Sequence, residues 1–248
     1  MPGTLYIGTK PALIYQSRDR GETWTELSGF RRIPSRRFWF SPAEPRGTAY
    51  VQGIALSPTD PSIILAGIEA GAVVRSDDDG MSWSNHRRGA LRDCHTLTFH
   101  AGSSDWAYEA GGSGNGMAFS RDSGLSWQQP RSGLDRHYGW ACAADPLLPE
   151  VMYVSVSTSP YKAHSKSNAR AHIFRATGGA PWKKLEGGLP QPLDHMPYAL
   201  LTDPVESGHI YAGMSNGDVW FSDNYGDAWH KLPFNMRGIQ REMVMISG

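Results

Sequence analysis

Ser17-Arg18-Asp19-Arg20-Gly21-Glu22-Thr23-Trp24 is the stretch that organises this chain, because it returns. It recurs as Ser76-Asp77-Asp78-Asp79-Gly80-Met81-Ser82-Trp83 and as Ser120-Arg121-Asp122-Ser123-Gly124-Leu125-Ser126-Trp127. A further copy, Ser222-Asp223-Asn224-Tyr225-Gly226-Asp227-Ala228-Trp229, has Asn224 in place of the Asp, and Arg175-Ala176-Thr177-Gly178-Gly179-Ala180-Pro181-Trp182 is a decayed one. Each shared residue has a local task. The Asp side chain accepts from backbone N–H groups of a turn, Gly permits a positive φ, and Trp packs beneath the turn. The tryptophans stand at 24, 83, 127, 182 and 229, spaced by 59, 44, 55 and 47 residues. Self-similarity at such spacing is the mark of a repeat architecture.

The pattern S-x-D-x-G-x-[ST]-W resembles the Asp box of the sialidase-like, or BNR-repeat, β-propellers, and the resemblance covers essentially the whole chain. It implies an all-β fold in which the boxes are turns between the third and fourth strands, C and D, of each blade. From Trp229 through the C-terminus and round to Trp24 is 43 residues, one blade's length. The expectation is therefore a five-bladed β-propeller and a single domain over 1–248. Glu242-Met243-Val244-Met245-Ile246 would close the ring as the inner strand of the N-terminal blade and so hide the sheet edges. The segment from Gly67 to Ser76 also resembles compact bacterial BNR-repeat proteins often labelled glycosyl-hydrolase-like. Arg32-Ile33-Pro34 resembles the Arg-Ile-Pro motif of true sialidases, whose Arg holds the substrate carboxylate. Those enzymes are six-bladed and carry the motif before the first box; here it follows the first box and sits in a loop, so the resemblance carries sialidase activity over only weakly.

Composition agrees with many turns and few long helices: 28 Gly, 17 Pro and 40% hydrophobic residues in 248. Net charge is zero, which argues against a nucleic-acid partner. No apolar run reaches the ~20 residues of a membrane span. The N-terminal Met1–Ile7 stretch reads as a strand and not as a signal peptide, so the expected location is cytoplasmic. Cys94 and Cys142 are in no metal-type pair and fall on opposite strand faces, so no disulfide is expected.

A second landmark locates the inner strands, A. Ser57-Pro58, His100-Ala101, Asp145-Pro146 and Asp203-Pro204 align without gaps, each ending an A strand, with strand B following. Period-2 counting places Tyr50, Gln52, Asp93, His95, Tyr138, Trp140, Met196 and Tyr198 on one face, with Gln240 and Glu242 from the closing strand. Almost all are polar or aromatic, whereas the opposite face is mostly small or apolar. Loops D–A and B–C share one end of a blade, and the two long ones, about 28–49 and 159–172, both lie there. Long loops on a rigid scaffold commonly carry function.

The acid/base candidates are His95, Asp93, Glu69, Glu109 and Glu242. Asp93 stands two residues from His95, on the same side. Glu69 follows Gly67 at the rim of a B strand. Glu109 occupies a position whose counterparts are Ile7, Ala66, Val154 and Ala212, and a carboxyl there needs a raised pKa or a committed partner. Tyr50, Gln52, Tyr138, Trp140, Tyr198 and His164 are the expected ligand-contacting residues. Arg32 and Arg36 would clamp negative charge, in a loop where Arg31, Arg32, Arg36, Arg37 and Arg46 oppose only Glu44. His95, His137 and His195 form an alternative metal set. The leading expectation is a hydrolase or lyase acting on a polar, anionic or sugar-like small molecule, with no cofactor required. A non-catalytic propeller binding a glycan or protein, and a divalent-metal enzyme built on the three histidines, stand beside it. The oligomeric state is left open.

Overall fold

The computed structural model describes residues 3–41, 47–130 and 132–246. Among them are five small antiparallel sheets, formed in chain order. The first holds β1 (Leu5–Gly8), β2 (Ile14–Ser17) and β3 (Thr25–Glu26). The second holds β4 (Val51–Leu56), β5 (Ile64–Ile68) and β6 (Val73–Ser76). The third holds β7 (Cys94–His100), β8 (Ser103–Gly111) and β9 (Met117–Ser120). The fourth runs β10 (Tyr138–Ala144), β11 (Val151–Ser157), β12 (His172–Thr177) and β13 (Lys183–Lys184). The fifth runs β14 (Pro197–Thr202), β15 (Ile210–Met214), β16 (Asp218–Ser222) and β17 (His230–Asn235). Each is a simple meander. No helix among the described residues is long and apolar enough to cross a membrane.

The chain divides into two compact units. One comprises Met1–Phe99, Ser103–Glu109 and Ala118–Gln128; the other comprises His100–Gly102, Ala110–Met117 and Gln129–Gly248. In the first unit, Ile14, Phe30, Ile68 and Val74 form one apolar cluster and Leu65, Leu91, Leu97 and Trp127 another. In the second, Tyr153 and Ile173 of the fourth sheet pack with Ile210 and Met214 of the fifth. Strands β5 (ILAGI) and β11 (VMYVSVS) are buried throughout, because apolar layers cover both of their faces.

The repeated octapeptides build one device. Ser17, Ser76, Ser120 and Ser222 each donate a hydroxyl hydrogen bond to the Asp or Asn two residues on, over 2.7–2.9 Å. The same serine oxygens accept from the N–H of Gly21, Gly80, Gly124 and Gly226 at 2.8–2.9 Å. Asp19, Asp78, Asp122 and Asn224 accept the N–H four residues on at 2.8–2.9 Å. The turn needs two successive left-handed residues: Arg20, Asp79, Ser123 and Tyr225 lie at φ of 57–63°, and the following glycines at 81–96°. In the decayed copy, which lacks the Asp, both positions are glycine, at φ 57° and 84°. The landmark residues are also turn caps: Asp145 accepts from Leu147 and Leu148 N–H, and Asp203 from Val205 and Glu206 N–H.

Asn224 makes the backbone bond that Asp122 makes, so Asp122→Asn should cost less than about 1 kcal/mol of stability, whereas Asp122→Ala strands its partners and should cost about 1–3 kcal/mol. Urea denaturation of the two variants checks this; equal losses would refute the account.

Two expectations change. Residues 241–246 form no strand, so the closing strand expected at Glu242–Ile246 is not seen, and Glu242 is exposed. The segment is occupied elsewhere: Ile239 and Met243 pack with Ala199, Tyr211 and Val219 of the fifth sheet, across Gly213, where any Cβ would collide with both. The inner strands also break strict alternation. β4, β10 and β14 each carry a register shift, between Val51 and Gly53, Gly139 and Cys142, and Pro197 and Ala199. The extra residue falls at Gln52, at Trp140–Ala141 and at Tyr198, and Gln52, Trp140 and Tyr198 share one aligned position. Such bulges re-aim a side chain.

Candidate functional site

In the first unit, three of the expected residues come together. Asp93 ends the loop entering β7, His95 is the second residue of β7, and Glu69 follows β5. Their ligand-type atoms all lie within 4.8 Å of one another. His95 Nε2 is 3.7 Å from Asp93 Oδ2 and 3.9 Å from Glu69 Oε2; the imidazole is buried and both carboxylates are partly covered. The Cys94 thiol, between Asp93 and His95 in sequence, turns instead to the buried Glu109 carboxyl. Both cysteines are free and buried.

The Glu69–Ala70–Gly71 turn holds this cluster in place. Glu69 N–H donates to the Tyr50 carbonyl at 3.1 Å, and Ala70 N–H donates to Asp93 Oδ1 at 3.2 Å. Ala70 sits at φ 46°, a left-handed conformation that costs a non-glycine residue about 1–2 kcal/mol. The first long loop is anchored beside this turn. Its segments Ser28–Arg32 and Pro34–Phe38 are 3-10 helices, Phe30 is buried between Trp39 and Trp83, and Phe40 N–H reaches the Ala70 carbonyl at 3.4 Å. Gln52 Nε2 lies 3.5 Å from the His95 carbonyl.

Glu109 is completely buried, as its apolar counterparts suggested. Its Oε2 accepts the Leu91 N–H at 2.8 Å, and burial raises its pKa well above the usual carboxylate range. It lies behind the loop that delivers Asp93 and is closed to solvent. Two of the loop arginines have defined neighbours. Arg32 donates to the Met81 carbonyl at 3.3 Å, and Arg36 lies over the rings of Phe30 and Trp39. Glu44 and Arg46 of the same loop lie outside the described residues.

In the second unit the aromatic candidates form a cage around His164, which the short helix α1 (Pro160–Ala163), capped by Ser159, delivers. Tyr138 Oη is 2.9 Å from His164 Nε2, and His164 Nδ1 is 2.7 Å from Tyr198 Oη. Tyr198 donates to the Ala163 carbonyl at 3.2 Å, so it accepts from His164, which carries its hydrogen on Nδ1 and accepts from Tyr138 through Nε2. Trp140 meets His164 and Tyr198 edge-on at 5.1 and 4.8 Å. Desolvation lowers the His164 pKa and raises that of Tyr198, keeping both neutral. Beside the cage is a cleft of about 310 Å³ lined by Ser113, Arg136, His137, Tyr138, Thr158 and Ser159 among others.

Of the three histidines of the alternative metal set, His95 belongs to the first unit and His137 and His195 to the second. Among the described residues the one group of three ligand-type side chains is Glu69, Asp93 and His95. His137 is exposed, and His195 is half-buried with Nδ1 lacking a hydrogen-bond partner. Sequence reasoning missed Ala70, whose N–H orients Asp93, and the bulges. Their signal was the shared position, five before each landmark, of Gln52, Trp140 and Tyr198.

No protein-family model and no curated protein matches the chain. Solved structures do. A GH74 xyloglucanase from Xanthomonas campestris is 19% identical with a TM-score of 0.65, over 93% of this chain and 36% of that one. A GH74 enzyme from Niastella koreensis is 17% identical with a TM-score of 0.64, over 92% and 36%. The β-propeller domain of Myceliophteria thermophila Cps50 (Swd1) is 14% identical with a TM-score of 0.55, over 77% and 58%. The chain spans about a third of the length of these two GH74 enzymes. At such identities the likeness speaks to architecture alone: the chain has the all-β fold of β-propeller proteins.

Proposed function

We propose that the chain is a hydrolase or lyase whose site is the Glu69–Asp93–His95 cluster, acting on a polar, carbohydrate-like small molecule. In this reading the five sheets are five blades of an Asp-box propeller. The observation that carries it is the gathering of two carboxylates and a buried imidazole within 4.8 Å, from segments 24 residues apart in sequence between Glu69 and Asp93. One carboxyl transfers a proton to the leaving group while the other stabilises or attacks the electron-poor carbon. Carboxyls this close resemble the roughly 5–5.5 Å pair of retaining glycosidases more than the roughly 6.5–9.5 Å pair that leaves room for a water. The GH74 neighbours, one of them a xyloglucanase, support carbohydrates as the first substrates to assay.

Against a panel of aryl glycosides and oligosaccharides, Glu69→Gln and Asp93→Asn should each lower kcat/KM by about 100-fold or more with the melting temperature retained. Turnover unchanged in both variants would sink the assignment. A ligand that binds this site and returns chemically unaltered would make the chain a binding module instead.

A further inference from the structure

The geometry points to a divalent transition-metal site formed by His95 Nε2, Asp93 Oδ2 and a Glu69 carboxylate oxygen, with zinc or manganese as the fitting ions. This inference rests on the cluster being the functional site and would replace the two-carboxylate chemistry there: carboxylates that hold an ion neither donate a proton nor attack carbon, and a water on the ion would supply the attack instead. The nitrogen-to-oxygen separations of 3.7 and 3.9 Å are too long for hydrogen bonds. They are close to the separation of two ligands on one ion: bonds of about 2.1 Å at tetrahedral or octahedral angles place neighbouring donors about 3.0–3.5 Å apart. For the two His95 separations a shift of a few tenths of an ångström closes the difference, and the carboxylate oxygens, within 4.8 Å of each other, converge by side-chain rotation.

Asp93 is divided as a metal ligand should be. Oδ1 is held by the Ala70 N–H while Oδ2 faces the imidazole, so a backbone group outside the coordination sphere orients the ligand. Two carboxylates also bring the negative charge that a divalent ion neutralises. One nitrogen and two oxygens, with the Cys94 thiol turned to Glu109, suit zinc or manganese and not a thiolate-seeking ion. Three protein ligands leave coordination positions open, the arrangement of catalytic sites, where the ion polarises a bound water or a substrate oxygen.

The experiment uses the full chain stripped of metal, titrated calorimetrically with zinc and with manganese separately. One equivalent should bind, and His95→Ala, Asp93→Asn and Glu69→Gln should each weaken binding by about 100-fold or more, while His137→Ala leaves it unchanged. Glu69→Gln and Asp93→Asn keep side-chain volume, and circular dichroism verifies that they fold. Absence of binding by both ions, or binding that survives all three substitutions, overturns the metal site. Turnover that persists in metal-free protein yet falls in Glu69→Gln also overturns it and leaves the hydrolase reading standing. Metal bound as described with no turnover of any glycoside supports the metal site and counts against that reading.

Discussion

Trp229→Ala should lower the unfolding free energy by about 3–5 kcal/mol, while the same change at Trp24, the equivalent residue of the first repeat, should cost far less. The two residues occupy the same place in the same motif and each donates its indole N–H to the motif glycine's carbonyl. They differ in surroundings. Trp229 is 6% exposed and belongs to the large cluster with Tyr153, Ile173 and Leu185, whereas Trp24 is 36% exposed. Removing Trp229 opens a cavity and discards its buried apolar area; removing Trp24 mostly uncovers surface that already meets water. Urea titrations followed by circular dichroism give both numbers. Equal costs would mean that the motif's local bonds, and not burial, set the contribution of its tryptophan.

Glu109→Gln should make stability less dependent on pH, with the variant increasingly the more stable protein as pH rises above the unfolded carboxyl's pKa. The sign follows from the direction of the shift. Burial raises the folded pKa of Glu109 well above the ordinary 4.5. Below that ordinary value both states hold the proton, and the full contribution of the residue is present. Above it the unfolded chain releases the proton while the folded chain retains it. Folding then loses about 1.4 kcal/mol per pH unit until the folded pKa is reached. Glutamine accepts the Leu91 N–H as the carboxyl does and has no proton to lose. Parallel stability profiles for the two proteins between pH 5 and 7 would contradict the burial argument. Glu109→Ala, by contrast, leaves the Leu91 N–H unpaired in a closed interior and should destabilise at every pH.

The all-β architecture and its periodicity were legible in the sequence, because each repeat's turn is a local device. Ser, Asp and Gly within five residues satisfy one another whatever surrounds them, and the cap at Asp145 works the same way. Local chemistry also marked Glu109, where a single carboxyl stands among apolar counterparts. Of the candidate site, the pairing of Asp93 with His95 was legible, since the two stand two residues apart at the start of one strand.

Tertiary structure decided the rest. That Glu69 joins Asp93 and His95 depends on the packing of β5 beside β7 and on the left-handed turn at Ala70, neither of which is written in a pattern. That His164 claims Tyr138, Trp140 and Tyr198 depends on where a short helix sets one imidazole. That Arg32 reaches the Met81 carbonyl and Arg36 lies over the Phe30 and Trp39 rings depends on packing that no local pattern records. The C-terminal segment looked like a strand because its composition permits one, but Ile239 and Met243 take an apolar seat at Gly213. By itself, then, the sequence determined the repeating turns and the strands between them, whose bonds close within a few residues. Which distant side chains share a site was left to packing, because those contacts form only when the sheets meet.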